Sequence, residues 1–405
     1  MSLVPPALFR LPDFRWLSAT MVLNSAGMMG ELVVLGWLSL ELTNSPFLVG
    51  VAMGARAAPL FFVGVPAGVL ADQLPRRRLL IATNVGQAAT AALIGLLAVS
   101  GVATFGHLVA VTLAAGVLRG IEHAARQSYT HDVVGAANLV RALALQGAAM
   151  RTGWLFGSLG TGAVIAHWSA GIAYLCVAAS YLAGAVTLLP ASTPAGTSPP
   201  APGSLWDNLV AFGAALRRDS TLPALMLLTA AAEVLGFAHQ TVLPSLARDI
   251  LHIGPDGLGA LNAARAVGGI VGLFAVSARR PGANGSGVLF FVVLVSFGAS
   301  LIALGFAPRY IGFAGVLVVL VVVNAIGALA DLLAQSLMQL SVPSGLRGRA
   351  GGAWVAAIGL APVGQLQIGA LASLFGVAVA LGASGLTLAV LASAAALLFP
   401  KIRRL

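Results

Sequence analysis

Long apolar stretches follow one another along almost the whole chain, and short polar turns separate them. A helix needs about 20 apolar residues to cross the hydrocarbon core of a bilayer. Small residues are mixed through these stretches, and polarity does not alternate residue by residue as it does in a membrane β-barrel strand. The pattern therefore predicts an all-α membrane protein. We place twelve transmembrane helices at residues 15–40, 46–70, 78–100, 105–126, 139–166, 170–189, 221–244, 257–277, 286–306, 311–338, 350–372 and 375–399.

One long polar segment rich in proline, residues 190–220, has six predicted spans on either side of it. Such a composition is typical of a linker. We therefore predict an N-terminal six-helix bundle at residues 1–189, a cytoplasmic linker at 190–220 and a C-terminal six-helix bundle at 221–405.

The two halves share a local repeat at an offset of 209 residues, in which Arg56 in the second span recurs as Arg265 in the eighth. Two related six-helix halves, with the substrate site between them, are the architecture of repeat-built transporters. By the same offset Asn24 aligns with Glu233, Glu31 with Gln240, and Glu122 with Asp331.

Composition and charge agree with a membrane protein. Of the 405 residues, 59% are hydrophobic and only 8% are charged, and the mean hydropathy is +0.97. The formal net charge is +10, and 17 of the 22 lysines and arginines fall on one predicted side of the membrane. The positive-inside rule makes that side, with both termini and the linker, cytoplasmic. We expect a monomer in the lipid bilayer of the inner (plasma) membrane, and no nucleic-acid partner.

A short polar turn at residues 68–78 joins the second and third spans. Charges cannot be hydrated in hydrocarbon, so this turn is expected at the membrane surface. It resembles the signature loop of the major facilitator superfamily: Gly68, Leu70, Ala71, Asp72, Arg76 and Arg77 match, whereas Gln73 and Pro75 stand where that loop has arginine and glycine. Residues 41–46, 125–127, 246–249, 342–349 and 359–364 are similar to the branch that contains the enterobactin exporter and related drug-efflux proteins.

The resemblance implies the major facilitator fold, in which two pseudo-symmetric six-helix bundles work by alternating access. It also implies that Gly68, Asp72, Arg76 and Arg77 form a cytoplasmic latch, which holds a neighbouring helix end in the outward-facing state. The alternative is a turn that only fixes the orientation of the chain in the membrane.

Three acids lie inside predicted spans: Glu31, Glu233 and Asp331. An ionised carboxylate in hydrocarbon costs several kcal/mol unless it is paired, solvated or protonated. One interpretation is structural pairing with the arginines inside spans, Arg56, Arg151 and Arg265. The other is that these acids carry the coupled proton in a watery cavity. The cavity's further polar candidates are Asn24, Gln240, Asn324, Gln335, Arg56, Arg151 and Arg265.

Other polar and aromatic residues receive simpler interpretations. Glu122, Arg119 and Arg126 share one helix face and predict a surface ladder of ion pairs, the alternative being part of a cytoplasmic gate. His239 is expected to be a hydrogen-bonded structural residue rather than a proton relay. Most tryptophans and tyrosines, including Tyr174 and Tyr181, lie near predicted span ends and are expected to be interface anchors, Trp154 and Trp354 being possible exceptions.

No phosphate-binding glycine loop with lysine is present, and the only lysine is Lys401, so ATP-driven transport by this chain alone is excluded. No metal-ligand spacing and no catalytic set stands out, so we expect no cofactor, no metal and no enzyme activity. We predict a secondary active transporter, namely a proton-coupled exporter (antiporter) of small amphipathic molecules, drugs or siderophore-like compounds. The alternatives are an importer or facilitator of an anionic solute or lysolipid, and a non-transporting sensor or scaffold.

Overall fold

The structure, a computed structural model, describes residues 7–135, 138–192, 220–278, 285–342 and 347–404. Within these ranges it describes the side chains of all but residues 7, 60, 61, 63–73, 140, 275–278 and 347–351.

The described part of the chain is helical almost throughout and contains no strand. Nine of its helical segments are long and apolar enough to cross a membrane, and the longest of these, Ser286–Leu340, consists of two helices joined at Gly312. This agrees with the predicted all-α membrane fold. We number the helices α1 Pro12–Thr43, α2 Pro46–Gln73, α3 Arg76–Val99, α4 Phe105–Val134, α5 Leu139–His167, α6 Ala170–Thr187, α7 Thr221–Ile250, α8 Gly254–Ala278, α9 286–311, α10 313–340, α11 Arg347–Ile358 with Ala361–Phe375, and α12 Val377–Leu398.

Local sequence explains where several helices begin and end. Asn44 adopts left-handed backbone angles (φ 49°) after α1, and Pro46 opens α2. The hydroxyl of Ser169 accepts the hydrogen bond of the Ile172 amide at the start of α6, as an N-cap does. The connections are therefore short, as the pattern of polar turns predicts.

Two of the C-terminal spans, α7 and α11, are less regular than the hydropathy pattern predicts, whereas the break between α9 and α10 lies next to the predicted boundary at residues 306–311. Helix α7 passes through a π turn at Ala232–Gly236 and a 3-10 segment at Phe237–Val242 before it ends in a second π turn. Gly312, with φ 60° and ψ −167°, separates α9 from α10. Helix α11 is interrupted at residues 359 and 360, immediately before Pro362. Breaks of this kind are frequent at functional sites.

The polar turn at residues 68–78 is shorter in the structure than in the prediction. Helix α2 continues to Gln73 and α3 begins at Arg76, so Gly68 and Asp72 belong to the last turns of a helix. Their side chains lie outside the described residues, and the predicted latch therefore remains a prediction at those two positions.

The chain forms two compact units. Unit 1 consists of Met1–Asn44, Ala55–Pro200 and Ile253–Ala263, and unit 2 consists of Ser45–Gly54, Ala201–His252 and Ala264–Leu405. Unit 1 thus includes the first turns of α8, the second helix of the C-terminal half of the sequence. Unit 2 includes the first turns of α2, the second helix of the N-terminal half. The two exchanged segments correspond at the 209-residue offset to within one residue at their first position.

Glycines allow close helix packing inside each unit. In unit 1 a Cβ built on Gly157 of α5 would lie 2.2 Å from the carbonyl oxygen of Ala26 on α1. In unit 2 a Cβ built on Gly364 of α11 would lie 2.5 Å from the carbonyl oxygen of Val234 on α7. Helix α5 therefore packs on α1 in the way that α11 packs on α7, as expected for two related halves.

Candidate functional site

A buried ion-pair cluster lies in unit 1 around Glu31, in the middle of α1. Glu31 is only 5% exposed. Its Oε2 accepts a hydrogen bond from Nη2 of Arg119 at 2.6 Å and another from the hydroxyl of Tyr181 at 2.9 Å. Nε of Arg56 lies 3.8 Å from the other carboxylate oxygen, and Nη2 of Arg56 donates to the carbonyl oxygen of Met28 at 3.1 Å. We call these residues, Glu31, Arg56, Arg119 and Tyr181, the Glu31 cluster.

The Glu31 cluster contains two guanidinium groups and one carboxylate, so its formal charge is positive. Nε of Arg119 is buried and has no hydrogen-bond partner among the described residues. Burial makes a surplus charge costly, because few polar groups or waters replace its hydration shell. The cluster is therefore sensitive to any proton or ligand that changes its charge.

Arg119 occupies a different place from the one that the sequence pattern predicts. In the predicted surface ladder it shares a helix face with Glu122 and Arg126, but only Arg126 pairs with Glu122, with Nε 3.0 Å from Oε1. Arg119 instead extends to Glu31, 88 residues away in sequence. The expectation was wrong because helix spacing identifies neighbours within α4 and carries no information about a carboxylate on another helix.

Two tyrosines are also placed differently. Tyr181 and Tyr174 are buried side chains of α6, and Tyr181 contacts the Glu31 carboxylate directly. The prediction that they are interface anchors was therefore wrong. Proximity to a span end could not distinguish the lipid-facing side of α6 from the side that packs against α1.

Unit 2 repeats one contact of the Glu31 cluster without its charge. Nη2 of Arg265 on α8 donates to Oε1 of Gln240 on α7 at 2.7 Å. Arg265 and Gln240 are the repeat counterparts of Arg56 and Glu31, and the counterpart of Arg119, at 119 + 209 = 328, is Ala328. The repeat is thus visible as a conserved arginine–acceptor contact, and the carboxylate and second arginine are present in unit 1 alone.

The acids of unit 2 form a separate group. Glu233, in the π turn of α7, is half-buried and interacts electrostatically with Asp331 on α10. Nε1 of Trp354 donates a hydrogen bond to Oδ1 of Asp331 at 3.0 Å. Gln335 is half-buried one turn further along α10. Two interacting carboxylates repel each other when both are ionised.

The remaining polar candidates lie on the same helices. Nδ1 of the fully buried His239 is 2.8 Å from the carbonyl oxygen of Gly236, and its Nε2 is 3.5 Å from Nδ2 of Asn324. Since a carbonyl can only accept, Nδ1 carries the hydrogen in this arrangement. In unit 1, Arg151 lies over the ring of Trp154, 5.0 Å from its centroid. Asn24 is buried, and its Oδ1 has no hydrogen-bond partner among the described residues.

Two cavities in unit 1 approach the Glu31 cluster. The first, which we call the cleft, has an empty volume of about 350 Å³ and the second, which we call the inner pocket, about 230 Å³. The cleft is lined by Met21, Asn24, Ser25, Met28, Gln87, Arg119, Glu122, Arg126, Met150 and Tyr181. The inner pocket is lined by Glu31, Thr90, Ala91, Ile94, Val111, Thr112, Ala115 and Tyr174.

Comparison with known proteins identifies the family. The model of the transmembrane secretion effector family, a family of major facilitator transporters, matches residues 4–405. The chain belongs to this family. No curated protein is significantly similar to it in sequence. The similarity to the branch that contains the enterobactin exporter remains a prediction.

Solved structures of transporters share the fold of this secretion effector family member. NupG, a nucleoside transporter, superposes with a TM-score of 0.77 at 14% identity, over 96% of this chain and 99% of its own. A bacterial homologue of the human lysosomal transporter Spinster superposes with a TM-score of 0.76 at 14% identity, over 99% of each chain. A POT peptide transporter gives 0.76 at 14% identity, over 98% of this chain and 95% of its own. These similarities establish the major facilitator fold.

The basic run after α2 anchors other helices of this transporter. Arg76, which is buried, forms an ion pair with Asp132 near the end of α4. Nε of Arg77 donates to the carbonyl oxygen of Leu188 at 2.9 Å, just after α6. Two of the four predicted latch residues therefore hold the ends of α4 and α6 within unit 1.

Proposed function

We propose that this transporter is a proton-coupled exporter, an antiporter of small amphipathic molecules such as drugs or siderophore-like compounds, in the inner (plasma) membrane with both termini cytoplasmic. The description of its family, secretion effectors, supports export. The orientation rests on the distribution of basic residues.

The observation that carries the proton-coupling proposal is the position of Glu31 between the two cavities. Glu31 itself lines the inner pocket, while its partners Arg119 and Tyr181 line the cleft. A proton on Glu31 removes the charge that holds Arg119, so the polar wall of the cleft changes. Proton binding and substrate binding can therefore oppose each other, which is the linkage that antiport requires.

The lining of the cleft supports an amphipathic substrate. Met21, Met28 and Met150 contribute flexible, polarisable thioethers that adapt to apolar groups of different shape. Arg119 and Glu122 contribute charges of both signs to the same cleft. This combination suits molecules that carry a polar group on an apolar body.

The acids of unit 2 are the second proton-site candidates. When Glu233 or Asp331 binds a proton, the repulsion between the two carboxylates disappears. We rank Glu31 first, Glu233 second and Asp331 third.

Flux measurements in proteoliposomes test the proposal. Purified protein is reconstituted with a pH-sensitive dye in the lumen, and cationic, neutral and anionic amphipathic dyes are screened with and without an imposed pH gradient. We expect gradient-driven movement of at least one amphipathic dye, its loss in Glu31→Gln, and its retention in Glu41→Gln, because Glu41 is an exposed acid of the same helix. Full coupling in Glu31→Gln would remove Glu31 from the mechanism.

The alternative of an importer or facilitator of an anionic solute or lysolipid is supported by the surplus of guanidinium groups in the Glu31 cluster. Direction distinguishes the two: a deletion strain accumulates the substrate of an exporter and fails to take up that of an importer. Ligand binding without any flux in proteoliposomes would instead indicate a sensor or scaffold.

A further inference from the structure

The inner pocket brings four polar side chains together in the interior of unit 1. It is lined by α1, α3, α4 and α6, which contribute Glu31, Thr90, Thr112 and Tyr174 respectively. Its remaining lining is apolar. The space that a water can occupy in the pocket is about 10 Å³, which corresponds to about one water molecule, and the polar side chains supply the two to four partners that such a water needs.

Two of these side chains have hydroxyl groups that the protein leaves unsatisfied. Thr112 is 4% exposed and Tyr174 is 3% exposed, and neither hydroxyl makes a hydrogen bond with any described residue. Thr83 and Thr90 of α3, in contrast, donate to carbonyl oxygens of their own helix. A buried hydroxyl without a partner costs free energy, and water in the pocket would supply the missing partner.

The pocket and the cleft lie on opposite sides of Glu31 along the bundle. Thr112 and Tyr174 are near the first residues of α4 and α6, at the end of the bundle where α1 finishes. Met21 and Arg126 of the cleft are near the opposite ends of α1 and α4. In the proposed topology, the pocket is on the extracytoplasmic side of Glu31 and the cleft is on the cytoplasmic side.

We infer that the inner pocket is a water-binding site through which protons reach Glu31 from the extracytoplasmic side, on a route separate from the substrate cleft. The inference rests on the proposed function. A hydronium ion in the pocket transfers one proton to the Glu31 carboxylate, which leaves water and a neutral carboxylic acid. Oε1 is the natural acceptor, because Oε2 already accepts from Arg119 and Tyr181. The hydroxyls of Thr112 and Tyr174 can each accept one hydrogen and donate another, so they hold the water in line with Glu31.

Radiolytic hydroxyl-radical labelling tests for the water without any substrate. The full chain in nanodiscs is irradiated, and oxidation is measured by mass spectrometry at two buried tyrosines. Tyr174 faces the pocket, whereas Tyr129 is equally buried but donates its hydrogen bond to the carbonyl oxygen of Ser192. We expect labelling of Tyr174 and not of Tyr129. Equal protection of both tyrosines would show a dry pocket and overturn the inference.

A filling variant and a flux measurement test the route. Ala115→Leu adds volume to the pocket and is expected to abolish labelling of Tyr174; should it fail to fold, Ala91→Val, at another small residue of the lining, supplies the same comparison. In proteoliposomes, Thr112→Val is expected to slow pH-driven movement of the transported dye by about fivefold, the factor that corresponds to one lost hydrogen bond, and the double variant Thr112→Val with Tyr174→Phe is expected to slow it further. Thr83→Val is the matched control, because Thr83 is a buried threonine of the same helix that lies outside the pocket and donates to the carbonyl oxygens of Leu79 and Leu80.

The two proposals fail in different ways. Labelled Tyr174 without dye movement in the wild type would support the water site and count against the exporter. Unlabelled Tyr174, or a double variant as fast as the wild type, would overturn the separate route, while loss of coupling in Glu31→Gln would still support the exporter.

Discussion

Removing the charge of Glu31 should destabilise the protein more than removing the charge of Arg119. Without its carboxylate, the Glu31 cluster has two guanidinium groups and no counter-charge, whereas loss of Arg119 leaves Glu31 paired with Arg56. At an effective dielectric constant of about 20, the 2.6 Å contact between Glu31 and Arg119 corresponds to about 6 kcal/mol of attraction before desolvation is subtracted.

From this geometry we expect Glu31→Gln to lower the free energy of unfolding by about 3–5 kcal/mol, the range for an uncompensated buried charge. Arg119→Gln should lower it by less, about 1–3 kcal/mol, the range for a lost hydrogen bond to a charged group. The double variant should be more stable than the sum of the single effects indicates, with a coupling energy of at least about 1.5 kcal/mol.

The assay is denaturant unfolding of the reconstituted protein for the two single variants, the double variant and the wild type. Arg248→Gln and Asp249→Asn provide a control cycle, because that ion pair is 29% and 43% exposed and should couple by less than about 1 kcal/mol. Equal losses for Glu31→Gln and Arg119→Gln, or additive effects in the double variant, would refute the reasoning.

Three further predictions concern packing and the repeat. Gly157→Ala should destabilise the protein by about 1–3 kcal/mol and lower the yield of monodisperse material, because its Cβ would meet the α1 backbone. Gly160→Ala is the control and should have neither effect, because nothing lies within 4 Å of a Cβ at that position. Asp132→Asn should lower the free energy of unfolding by about 2 kcal/mol, because the ion pair between the buried Arg76 and Asp132 then becomes a hydrogen bond to a neutral group; an unchanged unfolding curve would contradict this. Gln240→Glu should raise the free energy of unfolding by about 1 kcal/mol, because Arg265 would then donate a charge-assisted hydrogen bond to a carboxylate. A free energy of unfolding below that of the wild type, measured in the same denaturant series, would contradict the contact between Arg265 and residue 240.

The helical membrane fold could be predicted from the sequence because backbone polar groups in hydrocarbon must be satisfied within the helix. Hydropathy therefore located the spans, although their ends differ by several residues: α1 begins at Pro12 and ends at Thr43 rather than spanning 15–40. Hydropathy does not register hydrogen-bond pattern. For this reason the π and 3-10 turns of α7 and the break in α11 were not predicted.

The repeat predicted the partners of two arginines better than charge alone did. The alignment of Glu31 with Gln240 and of Arg56 with Arg265 corresponds to real side-chain contacts in both units. Charge balance alone would not have selected Gln240, because its amide is neutral. Periodicity within one helix likewise could not identify Arg119 as a partner of Glu31, since that contact depends on how α4 and α1 pack.

The most direct test of proton-coupled export is proton movement driven by a substrate gradient alone. Proteoliposomes are loaded with the transported dye and a pH reporter at equal pH inside and outside, and the dye is allowed to leave. The account predicts that the lumen acidifies as dye leaves wild-type and Glu41→Gln vesicles, and that it does not acidify with Glu31→Gln. Dye efflux from wild-type vesicles without any change of lumenal pH would contradict it.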